Sequence, residues 1–277
     1  MTSHITITKP EVPLISIITI SLNAGRDLEK TLTCTIKQDF HNFEYIIIDG
    51  GSTDNTIDII KKYEHHLKFW SSEKDNGIAE AFNKGLNHCQ GEWIGIINAG
   101  DWYEQGTFTE IAKNRNKAEI LYGFMQYWEG DNKKEIFHAN HNGLHLEMTL
   151  NHAACFVKKS VYEKIGKFNV HYKYAMDFDF LRRCHLQQIP FFKIDRELAH
   201  MHYGGISDNF LATYKEVRNI KINQGHSQLK AHTYYIYQIL RKSIKNLLLY
   251  CGFHKMVDLY REKYSIISKI NVTVQRK

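Results

Sequence analysis

The 277-residue sequence has no paired-cysteine framework. Its five cysteines (Cys34, Cys89, Cys155, Cys184 and Cys251) are odd in number, widely scattered and without a CxxC. That excludes a disulfide scaffold and a zinc–thiolate site and reads as a reducing cytosol. A membrane span is lacking as well. The longest strongly apolar stretch in the tail, "NLLLYCGF" (246–253), falls far short of the ~20 residues a bilayer requires. The opening "MTSHITITKP" has neither a basic n-region nor an apolar h-region, so no secretory signal is read there. No internal repeat or low-complexity segment interrupts the chain.

What is present is an ordinary soluble composition, 43% hydrophobic and 24% charged, on a chain long enough for one α/β domain with an appendage. Charge is unevenly placed. From Lys230 to Lys277 there are ten Lys or Arg against Asp258 and Glu262, a local excess of +8, whereas the whole chain carries +6. The body is therefore slightly acidic, and the tail has separate work to do.

The first hundred residues alternate strand and helix signals. "LISIITIS" (14–21), "FEYIIID" (43–49), "LKFWSS" (67–72) and "EWIGIIN" (92–98) read as buried strands. "RDLEKTLTCTIKQ" (26–38), "DNTIDIIKKY" (54–63, with Asp54 as N-cap) and "IAEAFNKGLNHC" (78–89) read as helices. The alternation implies βαβ units and a mostly parallel sheet, whose ligands bind beyond the carboxyl ends of the strands. "SLNAG", "DGGSTD" and "NAGD" fall at those ends. Further on, "AEILYGFMQYW" (118–128) and "IPFFKI" (189–194) read as strands and 138–152 as a polar loop. "ACFVKKSVYEKIGKF" (154–168) reads as strand, helix and glycine stop, "MDFDFLRRCHLQQ" (176–188) as a helix, and "HYGGIS" (202–207) as a turn before a final helix. His138, His141 and His145 have no helix signal and no fourth ligand, so they read as part of that loop rather than as a zinc site.

Seven of these segments, in order, resemble family 2 glycosyltransferases of the GT-A fold: "SIITISLN", "IIIDGGSTDNT", "SEKDNGIAEAFNKG", "GEWIGIINAGD", "CFVKKSVYEKIGKF", "AMDFDFLRR" and "GGIS". They cover residues 14 to 210, about 70% of the chain. The nearest likeness is to small bacterial enzymes that build capsule, O-antigen or exopolysaccharide units. The resemblance implies an α/β, Rossmann-like GT-A domain over 1–225 and a basic helical tail over 226–277. It also implies inverting transfer of a sugar from a nucleotide-sugar donor, a UDP-sugar by preference, to a glycan or lipid-linked acceptor.

On that resemblance Thr19, Ser21, Asn23, Asp49, Gly51, Asp75, Gly77, Lys84 and Asn98 fall at nucleotide-binding positions. Asp49 stands at the base-contacting position, and Leu22 replaces the family's tyrosine. Asp101, the last acid of a motif thinned here to Asn98-Ala99-Gly100-Asp101, is the ligand for Mn²⁺ or Mg²⁺, with His202 as a second candidate. Asp177 is the base, in a pair whose glutamate is replaced by Met176. His152, Arg183, His202, Gly204 and Gly205 belong to the acceptor and diphosphate loops. The competing reading is a GT-A-like scaffold that has lost its chemistry.

For the tail, "YYIYQILRKSIKNLLLY" (234–250) gathers Ile236, Ile239, Leu240, Ile244 and Leu247 on one helical face, with Arg241, Lys242 and Lys245 opposite. This reads as an element lying on an anionic membrane surface, on the inner face of the cytoplasmic membrane. The alternative is a helix docked on the domain itself or on a second copy of the chain, with its lysines merely solvated. Nucleic acid is not expected, because no recognition motif accompanies the charge.

Overall fold

A computed structural model describes residues 12–203, 209–253 and 255–257. Its centre is a nine-stranded sheet. The first half is parallel, in the order β3 (Phe69–Ser72), β2 (Phe43–Asp49), β1 (Ile15–Ser21), β4 (Trp93–Asn98). Beyond β4 the sheet is mixed: β8 (Cys155–Lys158) pairs antiparallel with β4, and β6 (Ile120–Glu129) antiparallel with β8. There β9 (Phe191–His202) runs parallel to β6, and β5 (Trp102–Tyr103) antiparallel to β9. A hairpin strand β7 (Asn132–Phe137) hangs on β6.

The isoleucine-rich strands are buried on both faces, and the two-residue period sorts their side chains. Ile15, Ile17, Tyr45 and Ile47 point to the side covered by α1 (Gly25–Ile36) and α2 (Thr56–Lys62), where Leu28, Leu32 and Ile60 meet them. Ile18, Ile20, Ile46 and Ile48 point to the other side, against Phe82 and Leu86 of α3 (Ile78–His88). Gly85 is required in α3: a Cβ there would lie 2.6 Å from Ile18 Cγ2. That close approach fixes the depth at which α3 sits on the sheet. The remaining helices are α4 (Thr107–Asn114), α5 (Lys159–Ile165), α6 (Met176–Leu186), α7 (Phe210–Asn223) and α8 (Gln228–Tyr250). No helix among the described residues is long and apolar enough to cross a membrane.

Most of the expected elements lie within two residues of the spans read from the sequence, and three points differ. Strand β9 extends to His202, because Leu198 and Ala199 are buried by pairing along β6 and opposite β5. The 138–152 segment is less polar in its setting than in its composition, since Leu144 and Leu150 are buried and two short 3₁₀ turns, His141–Gly143 and His152–Ala154, organise it. Asp54 lies two residues before the start of α2, one ahead of its N-cap Asn55, and serves two helices. Its Oδ1 accepts from the Thr56 amide at 3.0 Å, and its Oδ2 from the Gly25 amide at 3.2 Å, opening α1 as well.

In the tail, α8 docks by Ala231, Tyr234, Gln238 and Arg241. Gln238 donates to Glu147 at 2.9 Å, and Arg241 lies 3.9 Å from the same carboxylate. Ile236, Leu240, Ile244 and Leu247 are all more than half exposed. Residues 258–277 lie outside the described residues.

Candidate functional site

The parallel strands end level with one another: Ser21 is opposite Asp49, and Ile20 is opposite Asn98. Their carboxyl ends form one rim, and the residues expected at the site divide there into those that brace it and those that face it.

Asp49 is a brace. It is fully enclosed, and five donors occupy its two oxygens: the hydroxyls of Ser21 (2.9 Å), Ser52 (2.5 Å) and Ser72 (2.7 Å) and the amides of Gly51 (3.1 Å) and Ser52 (2.8 Å). Burial alone would raise its pKa, but the Ser52, Ser72 and Ser21 bonds outweigh it and hold the carboxyl below its ordinary value. The direct base contact expected of Asp49 is therefore not what this geometry offers, because a saturated, enclosed carboxylate has no lone pair to give. Thr19 is likewise buried, its hydroxyl 2.9 Å from Tyr45 Oη, and so is a sheet residue rather than a nucleotide contact.

The residues that do surround the rim are Asn23, Gly51, Asp75 and Gly77. Asn23 adopts φ 49° and accepts the Thr53 amide at 2.9 Å, while its own amide donates to Ser52 Oγ at 2.7 Å. Gly51 has φ 87° and packs against the Lys74 backbone, where a Cβ would come within 3.2 Å. Asp75 Oδ1 accepts the Gly77 amide at 3.0 Å, and Gly77, at φ 132°, opens α3 with no atom within 4 Å of a notional Cβ. Lys84 is engaged elsewhere, 3.1 Å from Glu73 and 3.2 Å from Glu80.

Beyond β4 the chain turns tightly. The Asp101 amide donates to Asn98 O at 3.1 Å across Gly100, which takes φ 100°. Thr31 of α1 fastens this turn from below, its hydroxyl accepting the Gly100 amide at 2.9 Å and donating to Asp101 O at 2.6 Å. The Asp101 side chain is only 7% exposed. Burial raises its pKa to about 7, and the nearby His152 ring opposes that rise. Asn98 Oδ1 is buried without a partner. An under-partnered carboxyl and a free amide oxygen flanking one turn make a donor set that suits a hard divalent cation, whose oxygen ligands are completed by substrate phosphates.

Opposite this turn stand His152 and Asp177. His152 opens a 3₁₀ turn capped by Asn151, whose Oδ1 accepts the Ala153 amide at 3.1 Å. Asp177 occupies the first turn of α6, and its Oδ1 accepts the Phe178 amide at 2.7 Å. His152 Nδ1 lies 3.4 Å from Asp177 Oδ2, with the two side chains 17% and 21% exposed. The structure thus brings Asn98, Asp101, His152 and Asp177 together. Beneath His152 and Asp177 a cavity of about 20 Å³, lined by Cys155, Phe168 and Phe180, is roughly the size of one water.

Arg183 is not at this site. It pairs with Asp179 at 2.9 Å and donates to the carbonyls of Ile165 and Lys167, clamping α6 to the loop after α5. His202 ends β9 with its ring 5.2 Å from that of Trp102, the neighbour of Asp101. Gly204 and Gly205 lie outside the described residues.

Glu104, Glu197 and His200 also cluster, with candidate ligand atoms within 4.8 Å of one another. The imidazole is already committed, however. Trp128 Nε1 donates to His200 Nδ1 at 3.2 Å, which puts the ring proton on Nε2, facing Glu104 Oε2 at 2.8 Å. No ring lone pair is left for a cation, and the cluster serves to close β5 onto β9.

Several supporting residues carry no local sequence signal. Thr31 is one. Glu216 of α7 is another, accepting the amides of Lys173, Tyr174 and Ala175 at 2.8–2.9 Å and so setting the approach to α6. Tyr127 is a third. Burial raises its phenol, Asn151 opposes this, and the charges of Asp101, Glu135 and Asp177 add to the rise.

Comparison with known proteins agrees with this layout. The sequence pattern of the family described as Glycosyl transferase family 2 matches residues 16–184. The PGL/p-HBAD biosynthesis glycosyltransferase Rv2957 of Mycobacterium tuberculosis is 28% identical over 187 residues, 62% of this chain and 70% of its own. Among solved structures, S. aureus TarS 1–349 in complex with UDP-GlcNAc aligns with TM-score 0.61 at 15% identity, covering 92% of this chain and 77% of that one. Mannosyltransferase PcManGT from Pyrobaculum calidifontis, in complex with GDP-Man and Mn²⁺, aligns with TM-score 0.63 at 14% identity, covering 96% and 80%. At such identities the structures establish a shared fold.

Proposed function

The chain belongs to glycosyl transferase family 2, and on that premise we propose an inverting transfer from a nucleotide-sugar donor, a UDP-sugar by our reading, to a hydroxyl of a glycan or lipid-linked acceptor in bacterial surface-polysaccharide synthesis. The observation that carries this reading is that Asn98, at the end of β4 and three residues before the buried Asp101, is linked through His152 to Asp177 at the start of α6. Asp101 and Asn98 Oδ1 would hold Mn²⁺ or Mg²⁺. When bound, that cation offsets the charge developing on the departing nucleoside diphosphate. Asp177 accepts the proton of the acceptor hydroxyl as its oxygen bonds to the anomeric carbon and the bond to the diphosphate oxygen breaks. Asn23, Gly51, Asp75 and Gly77 surround the nucleotide, with backbone groups made accessible by the glycines.

The exposed apolar stripe of α8, together with the basic excess from Lys230 onward, supports a peripheral seat on the anionic cytoplasmic face of a membrane.

The test is thermal unfolding with UDP, GDP, dTDP or CMP, each with and without Mn²⁺. UDP at a hundred times its Kd is expected to add about 2.7 kcal/mol, a rise of several degrees, and to do so only with the metal. No shift with any nucleotide would remove the reading.

A further inference from the structure

Asn98, His152 and Asp177 come from three separate elements and form a line across the site. Asn98 Nδ2 lies 3.4 Å from His152 Nε2, and His152 Nδ1 lies 3.4 Å from Asp177 Oδ2. The imidazole is wedged between them, its ring centroid 5.6 Å from that of Phe82, on a turn that Asn151 caps. Spacings of this length are usual before substrate closes such a site.

Donor and acceptor chemistry fixes the proton. An ionised carboxylate only accepts, so the ring nitrogen that faces Asp177 carries the hydrogen. In a neutral imidazole the other nitrogen is then an acceptor, and it takes an N–H of the Asn98 amide. The amide orientation this demands leaves Asn98 Oδ1 on the other side, and that atom is the one buried without a partner. With the Phe178 amide on Oδ1 at 2.7 Å and the His152 Nδ1–H on Oδ2, both carboxylate oxygens are tethered and each keeps a lone pair.

We infer that Asn98 locks His152 in the Nδ1–H tautomer, and that His152 so held is the positioning residue that presents Asp177 to the acceptor hydroxyl. The same amide then divides its work, its nitrogen setting the base and its buried oxygen left without a protein partner. The inference rests on Asp177 being the base, and the experiment separates the two.

The first arm needs no substrate. In ¹⁵N-labelled protein, long-range ¹⁵N–¹H correlation of the imidazoles, with His152 assigned by its loss in His152→Asn, should show the Nδ1–H form. Asn98→Leu should abolish that preference. An Nε2–H ring, or a tautomer unchanged in Asn98→Leu, overturns the lock. The second arm uses the fastest donor among UDP-glucose, UDP-galactose and UDP-GlcNAc. His152→Leu should lower kcat about tenfold to a hundredfold with donor KM unchanged. His152→Asn, whose side-chain N–H replaces the Nδ1–H, should recover most of the loss. Wild-type kcat in His152→Leu beside an inactive Asp177→Asn overturns the positioning role. Turnover by Asp177→Asn overturns the base assignment instead and leaves the tautomer result to decide the lock.

Discussion

Asp101 should cost the free protein stability, and replacing it should return that stability while removing metal-dependent nucleotide binding. The carboxyl is 7% exposed and burial raises its pKa to about 7 from 3.8. Each pH unit of such a gap is worth about 1.4 kcal/mol, so the ceiling on the effect is about 4 kcal/mol. Solvent relaxation around the ionised group reduces this to about 2 kcal/mol in practice. The sign follows from which state holds the proton. Between pH 3.8 and about 7 the unfolded chain has lost it while the native chain keeps it, so this group's contribution is fully present below pH 3.8 and is lost as pH rises through about 7.

Asp101→Asn removes the titration but keeps the shape. In urea denaturation of the metal-free protein, the variant should match the wild type at pH 4 and exceed it by about 2 kcal/mol at pH 8. With UDP and Mn²⁺ at pH 8 the order should reverse, because the wild-type carboxylate then gains a cation that the amide holds poorly. If Asp101→Asn instead destabilises the metal-free protein at pH 8, the carboxylate has a structural partner and the argument for an under-partnered metal ligand fails.

Three further outcomes can be checked with simple assays. Asp49→Asn should cost about 3 kcal/mol at pH 7 by urea denaturation, since donors that now serve a carboxylate would face an amide. Because the native Asp49 pKa is held below its ordinary value, that deficit should shrink as pH falls through the native value; a constant deficit would show that charge plays no part. Thr31→Val leaves the Gly100 amide and Asp101 carbonyl unpaired, and should lose about 2 kcal/mol and weaken the UDP–Mn²⁺ synergy. A change under about 0.5 kcal/mol would mean that the turn holds itself. Replacing Leu240 and Ile244 together by serine should reduce cosedimentation with phosphatidylglycerol-rich vesicles about thirtyfold while sparing UDP binding; equal binding by the variant would detach the stripe from the membrane.

How much of this could be read from sequence depends on how far apart the cooperating residues lie. The isoleucine runs of β1, β2 and β4, and the small or acidic residues that follow them, are local patterns, so the rim of the sheet was legible. Its parallel arrangement was too, because strands alternating with helices form βαβ units. The mixed half of the sheet was not. The length of β9 is decided by pairing with β6 and β5, which are 60 to 100 positions away in the chain, rather than by its own composition.

The same distinction divides the site. Asp101 and Asp177 are recognisable from their surroundings in the sequence, but what each can do is set by distant groups: Thr31 beneath the Asp101 turn, Glu216 behind α6, and His152 beside Asp177. Asp49 shows the cost of reading a motif without its partners. Its position suggested a ligand contact, whereas Ser21 from β1 and Ser72 from β3 arrive from either side and saturate it. The chain therefore uses one buried acid fully hydrogen-bonded to fix three strands, and leaves a second, Asp101, under-partnered two strands away. Carboxylates that purely structural folding had buried would both resemble the first. That contrast is what the proposed site, taking a cation and an anionic ligand, requires of Asp101.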